Sequence, residues 1–548
     1  MNARRLIFRA AALIAAAAAA ATARAADDAD ARPVPLFENL GQYHRAVTTK
    51  SPEAQRYFDQ GLRLYYGFNL PEATRAFQEA ARLDPDCAMA WWGVGLAAGP
   101  NYNSPIDPER NQRALGAVAK AKQANEASRL EREYVAALAT RYSADPAADR
   151  QALDRAYADA MRDLARRHPD DLDAATLHAE SMMDLRPWDL WSNDGEPRPG
   201  TEEIVAILEG VIRRDPKHPG AHHFYIHAVE ASRHPERGLA SADALGGLVP
   251  GAGHLVHMPS HIYMRVGRYA DATEANRKAV AVDRDYIARE KPTGEYPMMY
   301  YPHNLDFLWA AASMEGRSAD AIRAANDVAG EAPVEMLRQM PDLEGIPVTP
   351  ELVLVRFGRW DEVLASDPPP ADLVYATALH QYARGMALVR KGRLDDAAEE
   401  LRRLQAATDA MPPERIVMQV NSAKKVLGVA SHVLAGELAA ARGDTDQAVR
   451  DLKEAVALQD GLRYMEPPPW YFPVRQALGA VLLSAGRAKE AEAVYREDLA
   501  RNPDNGWALY GLSKSLAAQG DEAGARDARA RFDKSWARAD VTLEASVF

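Results

Sequence analysis

The sequence predicts an all-α fold built from consecutive antiparallel helix pairs, and three observations support this prediction. Alanine, leucine, arginine and glutamate dominate the 548 residues and β-branched residues are sparse, which favours helix. A small residue is followed twelve positions later by alanine at several places along the chain. Short polar turns such as GRY, GRL, GDT and GRA lie between the two positions. Because each pair leaves an apolar face that only a neighbouring pair can cover, we expect an array of repeats.

The spacing is clearest in two stretches. Gly61 is followed by Ala73 and Phe77, and the same skeleton returns near the other end of the chain as Gly479, Ala491 and Tyr495. The further pairs are Ala228/Ala240, Ser260/Ala272, Gly385/Ala397, Gly436/Ala448 and Gly511/Ala523. This pattern resembles the tetratricopeptide repeat (TPR), and the resemblance covers most of residues 51–548. It implies a TPR α-solenoid, in which the leading helices of the pairs line a concave groove.

The first 25 residues read as a secretory signal peptide. Basic residues precede a modest alanine-rich apolar run, and Ala23-Arg24-Ala25 forms an A-x-A cleavage site. Arg4-Arg5 followed by two apolar residues resembles a twin-arginine signal. The mature protein is therefore expected in the periplasm or secreted, and no later segment is long and apolar enough to span a membrane.

We expect the mature chain to divide in order along the sequence. Residues 26–50 are an N-terminal extension, residues 51–330 an N-terminal TPR lobe with the histidine-rich groove, and residues 376–548 a C-terminal TPR lobe. Proline-rich residues 331–375 are a loop-rich connection. A single array and two lobes both fit this division.

Composition excludes several function classes. The net charge is −12, which argues against nucleic acid or an anionic membrane surface as a partner. The single cysteine, Cys87, excludes an intrachain disulfide framework and any cysteine-based zinc or iron–sulfur site. The chain has no glycine-rich phosphate loop and no G-x-S-x-G nucleophile elbow.

Histidines are concentrated in one part of the chain. Eight of the fourteen lie between His218 and His261. They fall on the leading helices of two successive predicted repeats, HPGAHHFYIHAVEASRHP and PGAGHLVHMPSHIYMRVGRY. Spacings of three and four place histidines of each stretch on one helix face, and imidazoles that share a face can bind a transition metal.

The TPR resemblance implies which side chains face the groove, namely those six before, three before and one after the small residue. These positions are His254, His257 and His261 around Ser260, His303 and Asp306 around Trp309, His222 around Ala228, and Glu180 around Ala179. The alternative register of the HPGAHHFYIHAVE helix presents His223, His227 and Glu230 instead, and we rank it slightly higher because His-x-x-x-His forms a good chelate.

Aromatic residues in adjoining loops are candidates for the wall of a small-molecule pocket. They are Trp188 and Trp191 in RPWDLW and the adjacent Tyr300 and Tyr301 in MMYYPHN. Packed loop residues are an equally good interpretation of all four.

Taken whole, the chain resembles the large secreted bacterial TPR proteins that share the segments FDQGLRLYYGFN, DPDCAMAWWG–GPNYN, HPGAHHFYIHAVE–AGHLVHMPSHIY and NGWALYGL. Leu70 and Asp306 depart from that pattern at positions where histidine is expected. The resemblance implies no reaction.

Two hypotheses follow from the sequence. The first is a transition-metal site (copper, iron or zinc) on the concave surface, formed by His223, His227, His254, His257, His261 and His303. Such a site would allow hydrolytic or oxidative metalloenzyme chemistry on a small molecule. The second is a periplasmic scaffold that binds an extended peptide of a protein partner in the groove without metal.

Overall fold

The computed structural model describes residues 33–418 and 420–548, so the expected signal peptide lies outside the described residues. The described chain is mainly helical, and the β-strands among its described residues are β1 (Ile416–Val417) and β2 (Asn421–Ser422), which pair in an antiparallel arrangement. The expected all-α architecture is confirmed. The chain forms two compact units. The first contains the described residues up to Ile262 together with Arg277–Tyr301, and the second contains Tyr263–Asn276 and Pro302–Phe548.

Most helices follow one another with short connections, and a longer one covers residues 184–200. Up to residue 290 they are α1 (Pro52–Tyr66), α2 (Leu70–Leu83), α3 (Ala88–Ala97), α4 (Pro108–Gln123), α5 (Arg129–Ala139), α6 (Arg150–Arg167), α7 (Leu172–Met183), α8 (Thr201–Arg214), α9 (Pro219–Val229), α10 (Leu239–Leu248), α11 (Gly253–His257), α12 (Pro259–Arg265) and α13 (Tyr269–Glu290). A π-helix covers Tyr296–Tyr300 and precedes α14 (Tyr301–Glu315).

The rest of the second unit continues in the same way. Its helices are α15 (Ser318–Gly330), α16 (Val334–Gln339), α17 (Thr349–Arg356), α18 (Trp360–Ala365), α19 (Val374–Arg390), α20 (Leu394–Ala410), α21 (Ala423–Ala441), α22 (Thr445–Asp460), α23 (Arg475–Ser484), α24 (Ala488–Arg501), α25 (Gly506–Ala518) and α26 (Glu522–Ser535). Short 3-10 turns cover Pro235–Gly238, Pro341–Leu343 and Ile346–Val348.

Local chemistry explains where the helices begin and end. Ser51 caps α1 by accepting a hydrogen bond from the Ala54 amide, and Pro52 occupies the first turn, where no amide hydrogen is needed. Gly392 and Gly443 have φ of 72° and 82° in the turns that end α19 and α21. Only glycine adopts this left-handed conformation at little cost, so the predicted GRL and GDT turns are confirmed.

Each predicted small residue allows two helices to approach closely. Phe77 of α2 lies against Gly61 of its own pair and Gly93 of the next, where an added Cβ would come within 2.6 Å and 2.4 Å of the ring. Tyr495 of α24 lies in the same way between Gly479 and Gly511. The aromatic ring of one second helix therefore fills the space left by the glycines of two successive leading helices.

The first unit does not stay an open array. Successive leading helices pack together, as α1 does with α3 and α3 with α5, but α9 also packs against α1. The helix that carries several of the candidate histidines is therefore covered on a second side by the first helix of the unit. Contacts between such distant segments bury a face that an open array would expose.

Residues 331–375, expected as a loop-rich connection, contain α16, α17 and α18 and lie within the second unit. Their apolar side chains, such as Leu337 and Val363, are fully buried in that unit's hydrophobic core. Within the described part of the chain, no helix has both the length and the apolar character that crossing a membrane requires.

Candidate metal centre

Three helices of the first unit supply the clustered histidines. Helix α9 carries His223 and His227 one turn apart, and Glu230 follows at its end. Helix α11 carries His254 and His257, and α12 carries His261. Pro259 has no amide hydrogen and separates α11 from α12, with a single turn residue between them.

The start of α9 is fixed by His218. Its Nδ1 accepts a hydrogen bond of 3.1 Å from the Ala221 amide, so this histidine caps the helix as an asparagine would. Its Nε2 lies 3.0 Å from the Tyr43 hydroxyl. His218 therefore orients the helix that carries the clustered histidines and does not belong to the cluster.

Three of the clustered imidazoles are held through Nδ1. His223 Nδ1 donates to the Tyr66 carbonyl oxygen at 2.6 Å, and His227 Nδ1 donates to Glu230 Oε1 at 2.8 Å. His261 Nδ1 donates to the second oxygen of the same Glu230 carboxylate. Because a carbonyl or carboxylate oxygen only accepts, the ring proton of each histidine lies on Nδ1 and leaves Nε2 with a lone pair. This is the arrangement typical of metal-bound histidines.

The Nε2 atoms converge. His223 Nε2 lies 3.2 Å from His254 Nε2, and His257 Nε2 lies 3.0 Å from His261 Nε2. With metal–nitrogen distances of about 2.1 Å, neighbouring ligand atoms are about 3.0–3.4 Å apart, so both pairs have the spacing of adjacent ligands.

Within the first unit, two groups of three residues could hold an ion. His223, His227 and His254 each offer a nitrogen within 4.8 Å of the others, and His227, Glu230 and His261 form a second group with the same limit. His227 Nε2 is buried and has no hydrogen-bond partner among the described residues. Buried polar atoms without a hydrogen-bond partner are rare in proteins, and a bound ligand would satisfy this imidazole nitrogen.

Burial sets the charge of the cluster. The five histidines are at most 2% exposed. Burial, together with the neighbouring His227, lowers the pKa of His223 well below its ordinary value, and burial also lowers the pKa of His227. Burial alone would raise the pKa of Glu230, but His261 and His227 outweigh it and bring the pKa to about 2. The neutral imidazoles of His223 and His227 beside the ionised Glu230 carboxylate favour a cation.

Aromatic rings enclose the cluster. The ring centroid of Phe68 lies 4.5 Å from that of His223, and the ring centroid of Tyr300 lies 4.8 Å from that of His254. The ring centroids of Tyr102 and Trp188 lie 5.3 Å and 6.0 Å from that of His227. Phe68 and Trp188 have φ of 55° and 57°, a left-handed conformation that strains a bulky residue by about 1–3 kcal/mol. Both strained residues place their rings close to His227, so the strain is concentrated at this site.

A second layer of polar contacts holds the residue that orients His223. The Tyr66 hydroxyl donates to Asp173 Oδ1 at 2.5 Å, and the Tyr43 hydroxyl donates to the same oxygen at 2.7 Å. Arg45 Nη1 donates to the other oxygen at 2.7 Å. The expected N-terminal extension thus reaches the back of the site through Tyr43 and Arg45.

The structure places several predicted site residues away from the clustered imidazole nitrogens. His222 uses both ring nitrogens elsewhere, at 2.9 Å from Ser241 Oγ and 2.9 Å from the Pro216 carbonyl. Trp191 donates to the Ala228 carbonyl at 2.7 Å. Tyr301 accepts a hydrogen bond from Arg284, and its neighbour Tyr300 is the ring beside His254.

Three further candidates are Glu180, His303 and Asp306. Glu180 accepts a hydrogen bond from Tyr65 at 3.1 Å, and the buried Arg141 stabilises its carboxylate electrostatically. His303 and Asp306 belong to the second unit, where the Trp309 indole donates to Asp306 and burial raises the pKa of that carboxyl to about 6. Their participation as ligands stays a prediction.

Sequence reasoning missed Phe68 and Tyr102. Each lies in or beside a loop or irregular helix, where no periodicity reports the direction of a side chain. The segments FNL and GPNYN stood out as unusual, but that alone does not indicate contact with a histidine.

Comparisons with known proteins add little about the ligand. No family model matches the chain, and no curated protein matches its sequence. The human IFIT1 dimer with m7Gppp-AAAA is similar at 11% identity and a TM-score of 0.33, over 89% of this chain and 91% of that one. The APC/C hetero-tetramer Cut9-Hcn1 is similar at 13% identity and a TM-score of 0.32, over 91% and 79% of the two chains. The helix pairs make this a TPR-like fold.

Proposed function

We propose that this protein binds a first-row transition metal ion in its first unit. The ligands are the Nε2 atoms of His223 and His227 together with His254, and His257 and His261 supply further imidazoles beside them. The observation that carries the proposal is the orientation of the histidines. Three Nδ1 atoms are committed to oxygen acceptors, and His227 Nε2 is buried without a hydrogen-bond partner among the described residues.

Core packing explains this arrangement less well. An apolar core avoids imidazoles because each ring nitrogen must be satisfied or be penalised by desolvation. Five histidines and a carboxylate in one buried region are costly unless a ligand satisfies them. An ion bound by several Nε2 atoms removes that cost, and the Glu230 carboxylate balances part of its charge.

Burial also bears on the peptide hypothesis. A helical-repeat fold is a binding scaffold in general terms, but an extended peptide in an open groove contacts exposed side chains. His223, His257 and His261 are 0% exposed, so they do not line such a groove. We therefore favour the metal over the peptide as the ligand of the histidine cluster.

The donor set limits the ion and its chemistry. Imidazole nitrogens suit zinc, iron or copper, and Cys87 lies at the start of α3 and is buried there, away from the set described here. Three imidazoles leave a coordination position for a small molecule, as in catalytic metal sites. The ion would act there as a Lewis acid or a redox centre. A periplasmic or secreted location follows from the leader proposed at residues 1–25.

Metal analysis of the purified mature protein tests the proposal. We expect about one equivalent or more of a transition metal after growth in metal-replete medium, and a thermal midpoint that falls when a chelator removes it. The paired substitution His223→Gln and His227→Gln should remove the metal. The matched pair His222→Gln and His168→Gln should retain it, because those rings make hydrogen bonds outside the cluster.

Helical content measured by circular dichroism separates loss of metal from loss of fold. A wild-type protein with less than about a tenth of an equivalent of any transition metal would overturn the proposal. So would equal metal content in the two paired variants.

A further inference from the structure

The second unit contains a buried arginine that lacks an acidic partner. Three arginines of the described chain are buried, namely Arg141, Arg356 and Arg475. Arg141 pairs with Asp184, and Arg475 pairs with Asp460 at 2.7 Å. For Arg356, no carboxylate oxygen among the described residues lies within ion-pair distance. An unpaired buried cation is costly, so its presence requires an explanation.

Arg356 is held firmly on one side. Its Nη2 donates to Gln476 Oε1 at 2.6 Å, and its guanidinium carbon lies 3.6 Å from the centre of the Trp507 ring. The Gln476 amide nitrogen is 3.1 Å from both Asp498 and Asn505, so its oxygen must face Arg356. This chain of contacts fixes the plane of the guanidinium.

On its other side, the guanidinium has N–H donors without a described hydrogen bond. Arginine carries five N–H donors, and the described contacts use one of them. The Nε and Nη1 atoms of Arg141 are sealed from solvent, whereas those of Arg356 are not. Burial lowers the pKa of Arg356 to about 9, so the group remains a cation at neutral pH.

Neighbouring aromatic residues add further donors. The hydroxyls of Tyr382 and Tyr471 lie 2.9 Å apart and interact electrostatically with Arg356; one of them donates to the other, which leaves one hydroxyl proton unused. The Trp470 indole N–H is buried without a hydrogen-bond partner among the described residues. Its ring centroid lies 5.1 Å from that of Tyr382 and 5.1 Å from that of Tyr471. This cluster therefore has an excess of hydrogen-bond donors around the Arg356 cation, which the Asp498 carboxylate stabilises only indirectly, through Gln476.

We propose that Arg356, Tyr382, Trp470 and Tyr471 form a binding site for a small organic carboxylate with a flat apolar body. A carboxylate accepts hydrogen bonds from a guanidinium in a planar arrangement and supplies the missing negative charge. The aromatic rings suit an apolar body, and one cation balances one negative charge better than the two of a phosphate. This site lies in the second unit and is independent of the proposed metal centre.

Calorimetric titration of the full mature protein with benzoate tests this proposal. We expect saturable binding at one site and no binding of benzamide, which has the same body without the charge. Arg356→Met should weaken benzoate binding by about tenfold or more, because a hydrogen-bonded charge is lost. Trp470→Phe and Tyr471→Phe should each weaken it several-fold. The control Arg338→Met, which removes an exposed arginine of the same unit, should leave the affinity unchanged.

Several outcomes would overturn the proposal: no saturable benzoate binding to the wild type, equal affinity for benzamide, tighter binding of inorganic phosphate, or wild-type affinity in the Arg356→Met protein. Should that variant fail to fold, Arg356→Lys decides the question. It keeps the charge but loses the planar fork, so benzoate affinity must fall. Metal content measured on the same samples shows whether benzoate binds to a metal ion instead of to Arg356.

Discussion

Replacing Glu230 by glutamine tests the metal centre at the residue that orients two of its histidines. The carboxylate is 1% exposed and accepts Nδ1–H hydrogen bonds from His227, at 2.8 Å, and from His261. Glutamine has nearly the same shape but offers one accepting oxygen and one donating NH2 group. One of the two histidines would then face a donor with its own N–H. Its ring proton must move to Nε2, and that nitrogen can no longer bind a metal ion.

The expected loss follows from this geometry. Removing a group that orients a metal ligand reduces metal affinity by about 10–100-fold, which is about 1.4–2.8 kcal/mol. Glu230 orients two histidines, so the upper half of that range is expected. The stability of the metal-free protein should change less, because the substitution also removes a buried charge that desolvation penalises.

Competition with a chromophoric zinc chelator measures the affinity directly. Glu209→Gln is the matched control, because this carboxylate accepts from Tyr225 and Arg237 and touches none of the clustered histidines. We expect the control to bind zinc as the wild type does. An unchanged zinc affinity in Glu230→Gln would show that the shared carboxylate does not orient the metal-binding nitrogens.

Three other substitutions probe the repeats and the buried charges. Gly511→Ala places a Cβ against the Tyr495 ring and should lower the free energy of unfolding by about 1–3 kcal/mol in urea denaturation. Gly116→Ala adds a Cβ that meets no side chain and no neighbouring element, so it should raise the free energy of unfolding by about 0.5–1 kcal/mol. Asp173→Asn breaks a buried ion pair and should cost about 3–5 kcal/mol, while Asp170→Asn, at an exposed pair, should change stability by less than about 0.5 kcal/mol. Burial raises the pKa of Glu180, so the contribution of this carboxyl to stability is greatest below about pH 4 and falls as the pH rises through its folded pKa. Glu180→Gln should make the denaturation midpoint fall less steeply between about pH 4 and pH 8. An unchanged slope would contradict the assignment.

The sequence contained enough to predict the helix pairs and the turns between them. The spacing from Gly61 to Phe77 reports contacts within one repeat, and such local contacts leave a periodic trace in the sequence. The i, i+4 spacing of His223 and His227 likewise implied a shared helix face. These predictions need no knowledge of how distant segments meet.

The enclosure of the cluster was not predictable in this way. It depends on α9 packing against α1, a contact between helices more than 150 residues apart. The acceptor for His223 is the main-chain carbonyl of Tyr66, which any residue would supply, so no side-chain pattern indicates it. The rings of Phe68 and Tyr102 reach the histidines from irregular segments, where side-chain direction depends on tertiary structure.

Burial of the proposed centre limits when an ion can enter it. The five histidines are at most 2% exposed, and Phe68, Trp188 and Tyr300 lie over them. An ion that binds at the proposed centre would therefore reach the Nε2 atoms before these segments close, or when they open again. The strained backbones of Phe68 and Trp188 make opening less costly for those two segments than for the surrounding helices. Loading during folding also fits the twin-arginine-like leader proposed at residues 1–25, because a protein exported in the folded state must acquire a buried ion before it leaves the cytoplasm.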